Sequence, residues 1–100
     1  MLDRAADLFE ADRAGLMALM VREAGKTLAN AQADLCEAVD HLRYAAAQAR
    51  LKFAEPHLLK GPTGEKNALS LHGRGVFAAI SPWNFPLAIF TGQIAGALAA

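Results

Sequence analysis

The chain has 100 residues, 54% of them hydrophobic, and its ten basic and ten acidic residues give a formal net charge of zero. This balance excludes the basic excess of a nucleic-acid-binding domain and the acidic excess of a solvating tail, and the hydrophobic fraction excludes disorder. A single cysteine, Cys36, excludes an internal disulfide framework, and residues 1–10 are charged and lack the apolar core of a secretory signal, so a cytoplasmic location is expected.

Two helices are predicted at the start of the chain. Residues 2–10 have one apolar stripe at helical spacing, and residues 13–24 have a second. Asp12 is a candidate N-cap of the second helix. Gly25 follows the last turn of that helix, where a residue with positive φ commonly ends a helix.

The clearest helix is predicted over residues 28–53, with Thr27 as its N-cap and with an antiparallel arrangement relative to the helix before it. Its apolar stripe has i, i+3, i+4, i+7 spacing and consists of Leu28, Ala31, Leu35, Ala38, Leu42, Ala45, Ala46, Ala49 and Phe53. The charged residues are expected off this stripe or in the connection before it: Arg22, Lys26, Asp34, Glu37, Arg43 and Arg50.

Most charged side chains of these helices are expected to be solvated surface. The candidate partners of Arg43 and Lys26 are Glu23 and Asp40. Such exposed ion pairs contribute only about 0–1 kcal/mol to the stability of a fold. Cys36, within the long amphipathic helix, is expected to be a buried or half-buried thiol.

The second half of the chain predicts strands followed by a helix. Residues 54–66 contain two prolines and two glycines and are predicted to be an irregular connection. Residues 67–72 alternate polar and apolar, which predicts a half-exposed strand. After a turn at 73–75, the continuous apolar run 76–80 predicts a strand buried on both faces, as in a parallel sheet. A helix is predicted over residues 86–100, because proline suits the first turn of a helix.

The loop at residues 81–85 would join this last strand to the last helix. In open α/β sheets, ligands bind beyond the carboxyl ends of the strands, close to the helix that follows. The loop contains a large aromatic, Trp83, and a neutral amide, Asn84. Residues 75–100 contain no charged side chain, which predicts that this part is interior or embedded in a membrane.

The run Gly75–Pro86, GVFAAISPWNFP, resembles the aldehyde dehydrogenase superfamily, and the five residues Pro82–Pro86 are its most specific part. Three shorter matches lie in the helical region in the same order and spacing: Arg22–Thr27, Glu37–Asp40 and Leu42–Tyr44. Val21–Ala31 and Leu87–Ala100 are most similar to the Δ1-pyrroline-5-carboxylate dehydrogenase (L-glutamate γ-semialdehyde dehydrogenase) part of bifunctional bacterial proline-utilisation proteins.

The resemblance implies an α/β fragment of one incomplete domain. Residues 1–66 would form the N-terminal antiparallel helices and a connection, and residues 67–100 a strand pair and the first βα unit of a Rossmann-like NAD-binding domain. The implied activity is oxidation of L-glutamate 5-semialdehyde to glutamate in proline catabolism, with NAD as cofactor and NADP as the alternative. The implied partners are the aldehyde, the remainder of the same polypeptide and further copies of the full-length protein, with no nucleic acid and no membrane span.

The resemblance also assigns roles to residues of the loop. Asn84 matches the amide that stabilises the oxyanion formed when the nucleophile attacks the aldehyde. The segment that lines the dinucleotide pocket near the nicotinamide is matched by Ile80, Ser81, Pro82 and Trp83. In this family the Cys nucleophile, the Glu base and a ribose-binding Lys lie further along the chain than residue 100. The 100 residues alone are therefore expected to be inactive, and Cys36 is not assigned the nucleophile's role.

Simpler interpretations accompany these assignments. Asn84 is alternatively a helix cap or turn amide, and Trp83 a core aromatic. Gly92 and Gly96 form a G-x-x-x-G pattern, which in a membrane would favour helix dimerisation, and the uncharged tail would also suit a non-catalytic helical interaction module. No metal site is expected, because ligand spacing is lacking among the three histidines, His41, His57 and His72.

Overall fold

The computed structural model describes residues 1–100 and consists of four helices and one two-stranded sheet. The elements are α1 (Leu2–Ala11), α2 (Arg13–Ala24), α3 (Leu28–Phe53), β1 (His57–Leu59), β2 (Asn67–Leu69) and α4 (Ala88–Ala99). The molecule is elongated, with principal extents of 63 × 25 × 19 Å. The first three helices lie where the sequence predicts them, and α4 begins two residues after Pro86 rather than at it.

The long helix α3 is the centre of the structure, because α1, α2 and α4 all pack against it. One core cluster joins α1, α3 and α4 and consists of Ala6, Val39, Leu42, Ala45 and Ala95. A second joins α2 and α3 and consists of Met20, Ala31 and Leu35. Most of these side chains are small, so the helices approach closely: a Cβ on Gly92 would lie 3.1 Å from the His41 ring. In this structure α4 packs on α3.

Two of the three predicted helix-end residues act as expected. Gly25 ends α2 in the left-handed conformation, with φ 66°. The Thr27 hydroxyl accepts a hydrogen bond from the Asn30 amide at 3.2 Å and caps α3. Asp12 is the N-cap residue of α2, but its side chain makes no capping bond. Its backbone is not extended, and its amide donates to the Leu8 carbonyl at 3.0 Å, so α1 runs almost directly into α2.

Ion pairs fix the direction of α1 relative to α3. Arg50 pairs with Asp3, and Arg43 pairs with Glu10 at 3.1 Å. Because the earlier residue of α1 meets the later residue of α3, the two helices are antiparallel. All four side chains are substantially exposed, so solvent screens both pairs and they add little to the stability of the fold.

The segment after α3 departs most from prediction. Residues 54–66, predicted to be irregular, contain β1, which pairs antiparallel with β2 in the register His57↔Leu69, Leu58↔Ala68 and Leu59↔Asn67. β2 covers only the first half of the predicted strand at 67–72. Every residue of both strands is exposed, so this hairpin packs against no core. The three-residue β1 follows directly after Pro56 and is too short for an alternating pattern to predict it.

The strand predicted over Val76–Ile80 is not formed. These residues have no regular secondary structure, and Val76 and Ile80 are 102% and 87% exposed. A strand buried on both faces needs neighbouring strands to satisfy its backbone, and β1 pairs only with β2. The strand pair of this structure is therefore β1–β2, and the apolar run lies beside α4 as an irregular segment without a partner strand.

The expected place of one charged residue and the expected partners of two others are also wrong. Asp34, predicted off the apolar stripe, is fully buried. Lys26 pairs with Asp34, and Arg43 pairs with residues of α1, so neither pairs with Glu23 or Asp40. The packing of the helices decides which carboxylate lies close to each basic side chain. Proximity in the sequence therefore does not predict the ion-pair partner.

Cys36 is exposed, contrary to the expectation of a buried or half-buried thiol. It follows the buried Leu35 on α3, and successive residues of a helix point about 100° apart, so the thiol lies off the packed face. None of the helices combines the length and the apolar character that crossing a membrane would need.

Candidate functional site

The loop that carries the aldehyde dehydrogenase-like motif lies between the extended run 76–80 and α4. It contains a turn over Trp83–Leu87 and reaches α4 at Ala88. At its start, the Ile80 carbonyl accepts a hydrogen bond from the Gln93 side-chain amide at 3.0 Å. The loop is therefore bonded to α4 through Gln93 at its start and leads directly into α4 at its end.

A buried carboxylate fixes the end of the loop. Asp34, on α3, accepts a hydrogen bond from the Ala88 amide at 2.7 Å through Oδ1. Its Oδ2 lies 2.6 Å from the Lys26 Nζ, and the two side chains are 0% and 9% exposed. The N-cap residue of α4, Leu87, supplies no side-chain bond to this helix. Asp34 thus supplies the missing acceptor at the start of α4 from a different helix, where a negative charge is favoured by the helix dipole.

Lys26 extends this network to the aromatic residue beside Asn84. Its Nζ lies 4.2 Å from the centre of the Phe85 ring, in the geometry of a cation–π contact. Lys26 occupies this place because Gly25, with its positive φ, ends α2 and turns the chain back toward α3. We call Lys26, Asp34, Phe85 and Ala88 the Asp34 cluster.

The energetic importance of the cluster follows from its burial. A hydrogen bond to a charged group contributes about 1.5–3 kcal/mol, against about 1 kcal/mol for a neutral one. Removing one partner of a buried ion pair costs about 3–5 kcal/mol, because the other charge remains desolvated. The start of α4 is therefore held by a stronger contact than the exposed ion pairs between α1 and α3.

Sequence reasoning missed the Asp34 cluster, although a signal was present. Asp34 lies three residues after Ala31 and four before Ala38, so it belongs to the buried stripe of α3 by spacing alone. A carboxylate in an apolar stripe requires a partner. Lys26, two residues before the helix begins, is the available cation.

The residues assigned by resemblance form one continuous, outward-facing surface. Ile80 and Trp83 are 87% and 80% exposed, Pro82 and Asn84 are exposed, and Ser81 is half-buried. Trp83 is therefore not a core aromatic of this chain. Asn84 does not cap α4, whose N-cap position is occupied by Leu87.

The loop contains no ionisable side chain, so its chemistry is that of neutral donors and apolar surface. The perturbed groups of the molecule lie elsewhere. The hydrogen bond from Arg50 lowers the pKa of Asp3, the bond to Glu10 raises the pKa of Arg43, and the hydrogen bond from Thr63 lowers the pKa of Glu65. No three His, Cys, Asp or Glu side chains are grouped so that they could bind a metal ion.

Comparison with known proteins places this geometry in a family. The model of the aldehyde dehydrogenase family matches residues 1–100. The bifunctional protein PutA of Klebsiella aerogenes is 52% identical over 100 residues, which are 99% of this chain and 7% of that protein. The 1-pyrroline-5-carboxylate dehydrogenase of Anoxybacillus flavithermus is 40% identical over 97 residues, which are 97% of this chain and 19% of that protein.

Solved structures show similarity to the same proteins. A crystal structure of proline utilization A (PutA) superposes with a TM-score of 0.93 and 56% identity, covering 99% of this chain and 10% of that one. PutA of Bradyrhizobium japonicum superposes with a TM-score of 0.92 at 56% identity, covering 98% of this chain and 10% of that one. The chain spans less than a fifth of the length of each of these relatives. Over its whole length, it belongs to the aldehyde dehydrogenase family.

Proposed function

We propose that the chain is part of an NAD-dependent aldehyde dehydrogenase, with NADP as the alternative cofactor, that oxidises L-glutamate 5-semialdehyde to glutamate. Family membership and the names of the relatives, PutA and 1-pyrroline-5-carboxylate dehydrogenase, support this assignment. In this proposal, residues 1–66 are the helical segment of the enzyme and residues 67–100 begin its Rossmann-like cofactor domain. The run 76–80 becomes a strand once strands from the remainder of the polypeptide lie beside it.

The observation that carries the proposal is the exposed neutral amide of Asn84 in a loop fixed at both ends. Attack of a nucleophile on an aldehyde carbonyl places negative charge on the oxygen. A donor that is already in position stabilises this charge, and losing one such donor typically costs about 10²–10³ in rate. An amide donates without a charge that pH could change. We assign this role to Asn84, while the attacking thiolate and the base come from the remainder of the polypeptide.

The exposed surface of the loop also fits the nicotinamide half of a dinucleotide. Ile80 and Trp83 present an exposed apolar surface that would contact a flat, neutral nicotinamide ring, and Ser81 and Pro82 continue that wall. The amide of Ala88 at the start of α4 is already bonded to Asp34, so that amide does not bind the pyrophosphate. Bound NAD would accept the hydride released as the aldehyde is oxidised. The chain's own contribution is to contact the ring and to present the amide donor.

A second interpretation is a non-catalytic module that binds a separate protein through the apolar surface of residues 76–85. The exposure of Val76 and Trp83 favours some covering partner. Membership of the aldehyde dehydrogenase family favours the remainder of the same polypeptide as that partner, since the motif of an enzyme lies within this surface.

The decisive test uses the full-length protein, assayed with L-glutamate 5-semialdehyde and NAD. Asn84→Ala should lower the rate of the chemical step by about 10²–10³, because a preorganised oxyanion donor is lost. The affinity for NAD, measured by titration, should change little. Asn30→Ala is a matched control, since the exposed Asn30 side chain of α3 lies outside the loop. An unchanged chemical step in Asn84→Ala would refute the role of Asn84, and a wild-type protein inactive on this aldehyde would refute the substrate.

A further inference from the structure

The Asp34 cluster connects three parts of the chain that are far apart in sequence. Asp34 on α3 contacts both Lys26, which follows α2, and Ala88, the first residue of α4. Lys26 contacts the Phe85 ring. Two of the four residues that follow Asn84 are therefore bound, directly or through Lys26, to a single carboxylate that is fully buried.

A buried ion pair is a poor choice for stability alone. Replacing such a pair with apolar side chains of similar volume is often neutral or stabilising, because the desolvation of both charges is then avoided. The neighbours of Asp34 in the stripe, Ala31, Leu35 and Ala38, are apolar and show that this face of α3 can pack without charge. The pair instead fixes the positions of two groups. One oxygen of Asp34 holds the start of α4, and the other holds the Lys26 ammonium group over Phe85.

We propose that Lys26 and Asp34 are positioning residues for the Asn84 amide. This inference rests on the oxyanion role proposed for Asn84. Phe85 is the next residue after Asn84, so the contact that holds its ring also restrains the chain beside the amide. Ala88 fixes the other end of the same turn. Stabilisation of an oxyanion depends on donors placed to within fractions of an ångström, and a supporting layer that loosens the site lowers turnover without contacting the substrate.

The test is a double-mutant cycle in the full-length enzyme, combining Lys26→Met with Asn84→Ala. Lys26→Met keeps the apolar stem and removes the ammonium group. We expect it to lower kcat about tenfold, while KM for the aldehyde and for NAD stays within about twofold. In the Asn84→Ala background it should have no further effect on kcat, because the group that it positions is already gone. Lys26→Arg, which keeps a cation near Phe85, should recover most of the loss.

Arg43→Met is the matched control. Arg43 is on α3, the helix that also carries Asp34, but its ion-pair partners are on α1 and its side chain is half-exposed. It should leave kcat unchanged. If Lys26→Met does not fold, the paired variant Lys26→Met with Asp34→Asn replaces it, because Asn can still accept from the Ala88 amide and no lone charge remains buried.

The outcomes separate this inference from the proposed function. If Asn84→Ala is slow but Lys26→Met lowers kcat by the same factor in both backgrounds, Lys26 does not act through Asn84 and the inference is overturned. A wild-type kcat in Lys26→Met, or in the paired variant, overturns it equally. If Asn84→Ala is as fast as wild type, the oxyanion role itself fails, and the inference fails with it.

Discussion

Two regions of this chain both contain large apolar side chains but place them in opposite environments. The helical region, α1 to α4, places its apolar residues in two core clusters around α3. The exposed segment, residues 54–85, has leucines, phenylalanines and a tryptophan that face solvent, and its hairpin packs against no core. Side-chain hydrophobicity alone therefore does not decide burial. What differs is that the helices packing on α3 lie within these residues, whereas none of the large apolar side chains of the exposed segment belongs to either core cluster.

The largest expected contrast between the regions is in how much a Leu→Ala substitution lowers the free energy of unfolding. Leu42→Ala, in the core between α1, α3 and α4, should lower the free energy of unfolding by about 2–5 kcal/mol, because it leaves a cavity. Leu58→Ala, the matched change in the hairpin, should change it by less than about 0.5 kcal/mol, since the side chain is already exposed. Urea unfolding followed by circular dichroism at 222 nm measures both. A comparable loss for Leu58→Ala would mean that the hairpin packs on the helices after all.

A smaller contrast is expected between two glycines with positive φ. Gly25→Ala should destabilise the helices by about 1–2 kcal/mol, because a left-handed residue with a Cβ is strained and α2 and α3 fix its φ at 66°. Gly75, with φ 94°, lies in the exposed segment, outside any helix or strand that would fix its φ. Gly75→Ala should therefore lower the free energy of unfolding clearly less than Gly25→Ala in the same urea experiment. No atom lies within 4 Å of an added Cβ at either glycine, so steric clash does not confuse the comparison. Equal costs would contradict the assignment of the exposed segment as unrestrained.

The smallest expected effect is on acid stability. The Arg50 hydrogen bond lowers the pKa of Asp3 below its ordinary value of 3.8 in the folded chain. The pair therefore stabilises the fold above the unfolded-state pKa of Asp3, and this stability is lost as pH falls through the lowered folded-state pKa. Asp3→Asn should lower Tm slightly at pH 7, and the difference from wild type should vanish in strong acid.

Glu65→Gln is the control for this titration. The pKa of Glu65 is also lowered, but by Thr63 in the same turn of the exposed segment, so its titration should leave the melting of the helices unchanged. A Tm difference between Asp3→Asn and wild type that persisted below the lowered pKa would show that the ion pair is not its cause.

The sequence predicts the helical region well because the information there is local. Periodicity predicts all of α3, and single residues predict two helix ends: Gly25 marks the end of α2 through its positive φ, and Thr27 caps the start of α3 through its hydroxyl. Asp12 shows the limit of such reasoning, because continuity between α1 and α2 removes the extended backbone that a side-chain cap needs.

Pairing across the chain could not be predicted in the same way. An apolar run such as Val76–Ile80 can be recognised as strand-like, but whether it forms a strand depends on neighbours that its own sequence does not specify. The Asp34 cluster is similar: the carboxylate in the stripe indicates that a partner exists, but the identity of that partner depends on where α2 ends and where α4 begins. The motif at residues 81–86 could be recognised from its residues, and the roles of Asn84 and its neighbours stay predictions that the variants above test.

The bond between Asp34 and the Ala88 amide joins residues 54 positions apart, and this separation has a consequence for the order of folding. As the chain is synthesised from its N-terminus, α2 and α3 are complete long before Ala88 emerges. Until then, one oxygen of the Asp34 carboxylate can be hydrated. Docking of α4 must remove that water and close a long loop, so it is the late, non-local step in the assembly of these helices. The hairpin and the motif loop lie within the loop that closes, and their final positions relative to α3 are set only when α4 docks.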